Sequence, residues 1–254
     1  MLPKTLRAVA AALMLAAAPA ALPKDAGDYV TDLKDYVVSP LHWDAQNWRW
    51  AGDAALGIAA AYALDNTVRD HFVSGSVPAG QDPHSNRDAA PLALLTVGAF
   101  AMGVLTHDKA LKSTGVDMGE AVVLATMSSY VFKTLAGRER PNETPLRSRF
   151  GHGGDGFPSG HTAAAFAAAQ VFADRMPREQ WGWRVLAYGL AGGTAYLRLD
   201  SNVHWFSDTV AGAALGMATG RFVSGRDEQR KSRVAFWVAP LDHGALVSFS
   251  VNTD

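Results

Sequence analysis

Residues 162–173 read TAAAFAAAQVFA, an apolar run of twelve positions, seven of them alanine. Alanine is the strongest helix former, and the run is too long for an ordinary strand, so it predicts a buried helix. Similar Ala-rich segments lie on both sides, separated by loops that contain Gly, Pro and Asp. These segments are residues 54–64, 89–106, 121–132, 185–197 and 209–220. The sequence therefore predicts an all-α fold, a bundle of about six core helices.

The composition narrows the class of protein. Hydrophobic residues form 48% of the 254 positions and charged residues 19%, which excludes a disordered chain. The absence of Cys excludes thiol catalysis, Cys-ligated zinc and iron–sulfur clusters. The 23 basic and 24 acidic residues leave no positive excess, so nucleic acid is not expected as a partner.

The first twenty residues have the features of an export signal. Lys4 and Arg7 precede an apolar stretch at 8–18, and residues 18–20 read APA, a small-residue pattern typical of cleavage sites. We therefore predict a signal peptide over residues 1–20 and an exported, periplasmic protein. An uncleaved membrane anchor is the alternative for this end of the chain.

The predicted helices are short for membrane spans, which need about 20 largely apolar residues. Only residues 89–106 approach that length, and they contain Pro91. The segments are also richer in Ala and Gly than in Leu and Ile, which weakens membrane insertion. The sequence favours a soluble bundle, with a multi-pass cytoplasmic membrane protein as the alternative.

The sequence also predicts where the helical domain begins and ends. Residues 21–233 are predicted to form the helical domain, and Trp48 and Trp50 near its start are predicted to pack a helix onto the core. Residues 234–254 are predicted to form a C-terminal extension. Within it, β-branched and aromatic residues on both sides of a turn at 240–244 predict a short β-hairpin.

Three polar clusters fall at the ends of predicted helices, where separate elements can converge on one pocket. In the cluster FPSGH at 157–161, Ser159 is a good N-cap residue, and the amides of Gly160 and His161 begin a helix without internal partners. Helix N-termini favour anions, phosphate in particular, and the Ser159 hydroxyl can donate a hydrogen bond. Taken alone, the same pattern also fits an ordinary capped helix.

The other two clusters contribute a second histidine and three cations. His204 and Asp208 are four residues apart and share one face if they lie on a helix, where the carboxylate accepts from one imidazole nitrogen and leaves the other free to attack. Arg198 has a planar guanidinium that suits phosphate oxygens. Lys133 and Arg140 add two positive charges, and phosphoryl transfer mostly requires positioning and charge neutralisation.

The three clusters together resemble the signature of the type 2 phosphatidic acid phosphatase (PAP2) superfamily, which also contains bacterial class A acid phosphatases and vanadium haloperoxidases. The matching residues are Lys133-x6-Arg140-Pro141, Pro158-Ser159-Gly160-His161 and Arg198-x5-His204-x3-Asp208. One departure is Leu197, where the family usually has Ser. The resemblance implies that the helical bundle is PAP2-like.

The resemblance also implies a role for each matching side chain. His204 attacks phosphorus and forms a phosphohistidine, Asp208 orients and balances the charge of that histidine, and His161 protonates the leaving alkoxide and later activates water. The implied phosphate-binding residues are Lys133, Arg140, Ser159, Gly160 and Arg198. The implied mechanism uses no metal ion and no other cofactor.

The sequence therefore predicts a metal-independent phosphatase that hydrolyses phosphomonoesters. Its phosphate-ester substrate is a small soluble ester, a lipid phosphate or a pyrophosphate, and membrane lipid is a further expected partner. Two alternatives stay open: a vanadate-dependent haloperoxidase, and a non-catalytic phosphate-binding or membrane scaffold protein. The sequence leaves the oligomeric state open.

Overall fold

The computed structural model describes residues 26–72, 85–241 and 244–251 of the chain. The predicted signal peptide, residues 1–20, lies outside these ranges. Two short 3₁₀ turns, Ser39–His42 and Arg178–Gln180, join longer elements. The helices are α1 (Ala26–Val38), α2 (Ala45–Phe72), α3 (Ser85–Leu105), α4 (Lys109–Ala136), α5 (Gly160–Arg175), α6 (Trp181–Asp200) and α7 (Phe206–Arg233), followed by β1 (Val234–Leu241) and β2 (Gly244–Val251).

Helices α2 to α7 correspond to the six segments predicted from the sequence, which confirms the all-α class. Each helix is longer than its predicted segment, and some of the added positions are polar residues buried with partners. In α4, for example, Asp117 is fully buried and accepts a hydrogen bond from Arg175 at 2.8 Å. Helix α1 is an additional element that the sequence analysis did not predict.

The tryptophans at the start of α2 do not enter the core, so that prediction was wrong. Trp48 and Trp50 are 59% and 63% exposed. The ring of Trp48 packs edge-on against that of Trp43, with 5.1 Å between the ring centroids. These aromatic side chains therefore contribute to the surface of the bundle.

Helix α5 lies at the centre of the bundle and packs against α4, α6 and α7. Ala163 and Ala167 on α5 are fully buried, and the facing positions on α7 are glycines. A Cβ atom on Gly216 would overlap the carbonyl oxygen of Ala163, and one on Gly220 would lie 2.6 Å from that of Ala167. The order of these contacts shows that α5 and α7 run parallel, so their N-termini lie at the same end of the bundle.

The C-terminal residues form the β-hairpin that the sequence predicts. Helix α7 continues to Arg233 and leads directly into β1. Strands β1 and β2 pair antiparallel, with Val234 opposite Val251 and Leu241 opposite Gly244.

The outer face of α4 carries a stripe of exposed apolar side chains. Met127, Tyr130, Val131 and Leu135 are between 49% and 75% exposed, and their spacing places them on one side of the helix. The stripe reaches the last turn of α4.

Among the helices of the described ranges, none has an apolar stretch long enough to cross a membrane.

Candidate active site

The first cluster lies where α4 ends and the chain turns back on itself. Lys133 is in the last turn of the helix, and Gly137 ends it in the left-handed conformation, with φ +52°, which favours glycine. The amide of Gly154 then donates to the carbonyl of Gly137 at 3.1 Å, and that of Gly156 to the carbonyl of Arg138 at 2.8 Å. These bonds hold the chain just before the second cluster against the first.

The second and third clusters are joined by their backbones. The amide of Ser159, at the start of α5, donates to the carbonyl of Asp208 in the first turn of α7 at 2.9 Å. The first cluster reaches the same point, because a Cβ atom on Gly160 would lie 3.8 Å from Cε of Lys133. The structure therefore brings together the three clusters that the sequence predicts to converge.

His204 is buried at this junction, with 3% of its surface exposed. Its Nδ1 lies 2.8 Å from the carbonyl oxygen of Gly156, and since a carbonyl can only accept, Nδ1 carries the proton. Nε2 is then the unprotonated nitrogen. Burial, together with the charges of Lys133, Arg140 and Arg198, holds the pKa of His204 well below its usual range. The imidazole is therefore neutral at pH 7, with Nε2 able to act as a nucleophile.

Asp208 does not orient His204 in the way the sequence predicts. Helix α7 begins at Phe206, so His204 precedes it, and Oδ2 of Asp208 lies 3.6 Å from Nδ1 of His204. That oxygen instead accepts from the amide of Trp205 at 2.8 Å, which caps the helix. Burial raises the pKa of Asp208 to about 6, against the lowering effect of Arg138.

The remaining predicted phosphate-binding groups surround the same junction. Arg198, in the last turn of α6, and Ser159 are both fully buried. The hydroxyl of Ser159 accepts from that of Thr162 at 3.0 Å, which leaves its own proton available to donate. Burial lowers the pKa of Lys133 to about 8, partly offset by the nearby Asp155. The site combines hydroxyl, amide and cationic donors, which suits an anion with several oxygens.

Two of the predicted phosphate-binding cations contact Asp155. The guanidinium of Arg140 donates to both oxygens of that carboxylate, from Nε at 2.6 Å and from Nη2 at 2.9 Å. The ammonium of Lys133 donates to the carbonyl oxygen of the same residue. The sequence analysis did not identify Asp155 as part of the site.

A buried charge network behind His204 was also missed. Arg138 is fully buried and bridges two fully buried carboxylates: Nη2 lies 2.7 Å from Asp65 and Nη1 lies 2.5 Å from Asp208. Asp65, from α2, also accepts from the amide and the hydroxyl of Ser207, each at 2.8 Å. The network thereby fixes the start of α7 against α2. Asp65 is the one charged residue between positions 54 and 68, and a lone carboxylate in an Ala-rich helix could have signalled it.

Aromatic rings enclose the central arginine of this network. The guanidinium carbon of Arg138 lies 4.7 Å from the ring centroid of Phe150, 5.3 Å from that of Trp205 and 5.4 Å from that of Tyr62. Such cation–π contacts add to the two ion pairs and exclude water from them.

The described part of the chain contains no group of three or more His, Asp or Glu side chains placed to hold a metal ion.

The family model of the PAP2 superfamily matches residues 114–231, the segment that contains all three clusters. This segment of the chain belongs to the PAP2 superfamily. Asp65 lies outside the matched PAP2 segment, so the charge network joins that segment to a helix that precedes it.

Two relatives of the chain come from Porphyromonas gingivalis. A lipid A 1-phosphatase is 35% identical over 170 residues, which are 65% of this chain and 36% of that protein. A lipid A 4'-phosphatase is 29% identical over 139 residues, which are 52% of this chain and 50% of that protein. The chain thus spans between about a third and a half of the length of these curated relatives.

A solved structure also resembles the chain. It is the transmembrane PAP2 type phosphatidylglycerolphosphate phosphatase of Bacillus subtilis, with 20% sequence identity and a TM-score of 0.45. The similarity covers 70% of this chain and 95% of that one.

Proposed function

We propose that this protein hydrolyses a phosphomonoester carried by a lipid, through a covalent phosphate on His204. The observation that carries the proposal is the contact of Nδ1 of His204 with the Gly156 carbonyl at 2.8 Å, which leaves Nε2 to attack, and burial with the charges of three cations holds the pKa of this histidine below its usual range. A neutral buried imidazole is a nucleophile at neutral pH, and a phosphate monoester carries the negative charge that Lys133, Arg140 and Arg198 would balance.

The reaction proceeds in two balanced steps. Nε2 of His204 attacks phosphorus, and the bond from phosphorus to the alkoxide oxygen breaks while His161 gives that oxygen a proton. Water then attacks the phosphohistidine, His161 takes a proton from it, and the nitrogen–phosphorus bond breaks to release phosphate. The cations, the Ser159 hydroxyl and the Gly160 amide hold the phosphate oxygens in both steps. This mechanism has no step that requires a metal ion.

Two observations favour a lipid phosphate over a small soluble ester. The relatives that match a large part of this chain are named for lipid A, a lipid phosphate. The exposed apolar stripe of α4 also ends in the helical turn that contains Lys133. An apolar surface at the same end of the helix as a phosphate-binding residue suits a substrate with an acyl-bearing body, because the acyl chains gain by leaving water. We therefore infer that the protein works at a lipid surface.

We expect hydrolysis of a diacylglycerol phosphate in mixed micelles to exceed that of p-nitrophenyl phosphate by at least about tenfold in kcat/KM, since apolar binding adds about 0.8 kcal/mol for each buried CH₂. Both activities should survive EDTA and be blocked by vanadate, which mimics phosphate. Phosphate release from the two substrates, measured in parallel, checks this. Faster hydrolysis of the soluble ester contradicts the lipid assignment, and binding of phosphate without hydrolysis of either contradicts the enzyme.

A matched pair of variants locates the lipid surface. Leu135→Gln removes one apolar group from the α4 stripe, and Leu105→Gln removes an equally exposed one at the end of α3, both leucines being 75% exposed. Only the first change should lower activity on the micellar substrate, and neither should alter activity on p-nitrophenyl phosphate. Equal losses from both changes would contradict a role for the stripe.

A further inference from the structure

Asp155 contacts two of the side chains that are proposed to bind phosphate, Arg140 and Lys133. Its carboxylate holds the guanidinium of Arg140 in a two-point contact, at 2.6 and 2.9 Å, and its carbonyl oxygen accepts from Lys133. This is the geometry in which a guanidinium also binds two phosphate oxygens. We propose that Asp155 is an internal competitor for the phosphate clamp, displaced when the substrate binds and restored when phosphate leaves. The proposal rests on the proposed function, which makes Arg140 and Lys133 phosphate ligands.

The structure lets the carboxylate move while its backbone stays in place. The amides on either side of Asp155 are anchored, Gly154 to the carbonyl of Gly137 at 3.1 Å and Gly156 to that of Arg138 at 2.8 Å. The side chain of Asp155 is 60% exposed, whereas that of Arg140 is only 15% exposed. A rotation of the Asp155 side chain into solvent therefore breaks its two contacts with the guanidinium without disturbing the Gly156 carbonyl that holds His204.

The charge of Asp155 persists under the conditions of the reaction. Burial alone would raise the pKa of this carboxyl, but the hydrogen bonds and charge of Arg140, with the charge of Lys133, hold it below its usual value. The carboxylate is thus ionised at neutral pH and competes with any anion for Arg140. Lys133 is affected less, because its contact is with a backbone oxygen and its ammonium has two further protons to donate.

Competition of this kind weakens the binding of the substrate and of the product alike. The apparent affinity of any ligand falls by the fraction of molecules in which the clamp is open. Asp155 therefore raises KM, and it also limits inhibition by the inorganic phosphate that the reaction releases. Because the carboxylate replaces the departing anion, Arg140 keeps a partner between turnovers.

Isothermal titration calorimetry with inorganic phosphate at pH 7 tests this directly, without turnover. Asp155→Asn and Asp155→Ala should each tighten phosphate binding by about fivefold, the size expected for opening a partly exposed ion pair. The matched control is Glu143→Gln, since Glu143 accepts from the backbone amide of Arg140 at 2.9 Å and a glutamine oxygen can still accept there. This control removes the same charge nearby and should leave the affinity within about twofold of the original.

The possible results are distinct. Tighter binding in both Asp155 variants, with lower KM and lower Ki for phosphate, supports the competitor. Unchanged or weaker binding in both, while the unaltered protein binds phosphate, overturns it and makes Asp155 an orienting partner of Arg140. If Glu143→Gln tightens phosphate binding as much as the Asp155 variants do, the proposal is also overturned. The effect would then come from removing any negative charge near the site. Failure of every form to bind phosphate overturns the proposed function and this inference with it.

Discussion

His204→Ala should abolish phosphomonoester hydrolysis, lowering kcat by about 10⁴-fold or more, as the loss of a covalent nucleophile does in other enzymes. The reason is that His204 has its Nδ1 proton donated to Gly156, which leaves Nε2 as the nitrogen that can attack, close enough to Lys133, Arg140 and Arg198 for their charges to lower its pKa. Initial rates on the micellar lipid phosphate, with circular dichroism to establish folding, measure the effect. Phosphate binding should persist, because Lys133, Arg140 and Arg198 remain.

The control for this change is His42→Ala. His42 is an exposed histidine in the 3₁₀ turn after α1, and its ring contacts only the carbonyl of Val38 among the groups described. Its replacement should leave kcat within about twofold, as surface substitutions usually do. If His204→Ala kept a tenth or more of the original turnover, His204 would not be the nucleophile.

Arg138→Leu should destabilise the fold by about 3–5 kcal/mol, the usual cost of removing one partner from a buried ion pair. The change leaves the carboxylates of Asp65 and Asp208 buried without their cation, and both are fully buried. Urea unfolding followed by tryptophan fluorescence measures the loss. If the leucine variant does not fold, Arg138→Lys serves instead, since it keeps the charge and loses the two-sided contact.

The matched control for this prediction is Arg149→Leu. Arg149 also pairs with an acidic side chain, Glu139 at 3.1 Å, but it is 40% exposed, so water can solvate the carboxylate left behind. Its replacement should cost far less stability than that of Arg138. Equal costs at the two positions would show that the buried network does not stabilise the start of α7.

Much of the fold follows from patterns that are local in the sequence. The alanine runs predict α2 to α7 because helix propensity and length act within one segment, and the hairpin follows from its alternation and turn. The ends of the helices were predicted less well. The sequence pattern places Asp117 outside a helical segment, but in the structure it is buried inside α4 with Arg175 as its partner. A partner 58 positions away has no local signal.

The difference between local patterns and contacts of distant residues also explains which parts of the site the sequence does not predict. The three clusters carry side chains of recognisable chemistry, so their convergence could be expected. The acceptor for His204 is a backbone carbonyl, that of Gly156, and a carbonyl has no side-chain signature in the sequence. Asp65 contacts Ser207 across 142 positions, and only the packing of α2 on α7 brings them together.

Trapping the phosphate on His204 tests the proposed phosphohistidine directly. In His161→Ala, a labelled p-nitrophenyl phosphate can still transfer its phosphate, because this leaving group needs little help from an acid, while hydrolysis slows without the base. Rapid quenching and peptide mapping should then find the label on His204, stable to base and labile to acid, and absent from the double variant that also carries His204→Ala. Label on another residue, or active turnover with none trapped, would contradict the phosphohistidine mechanism.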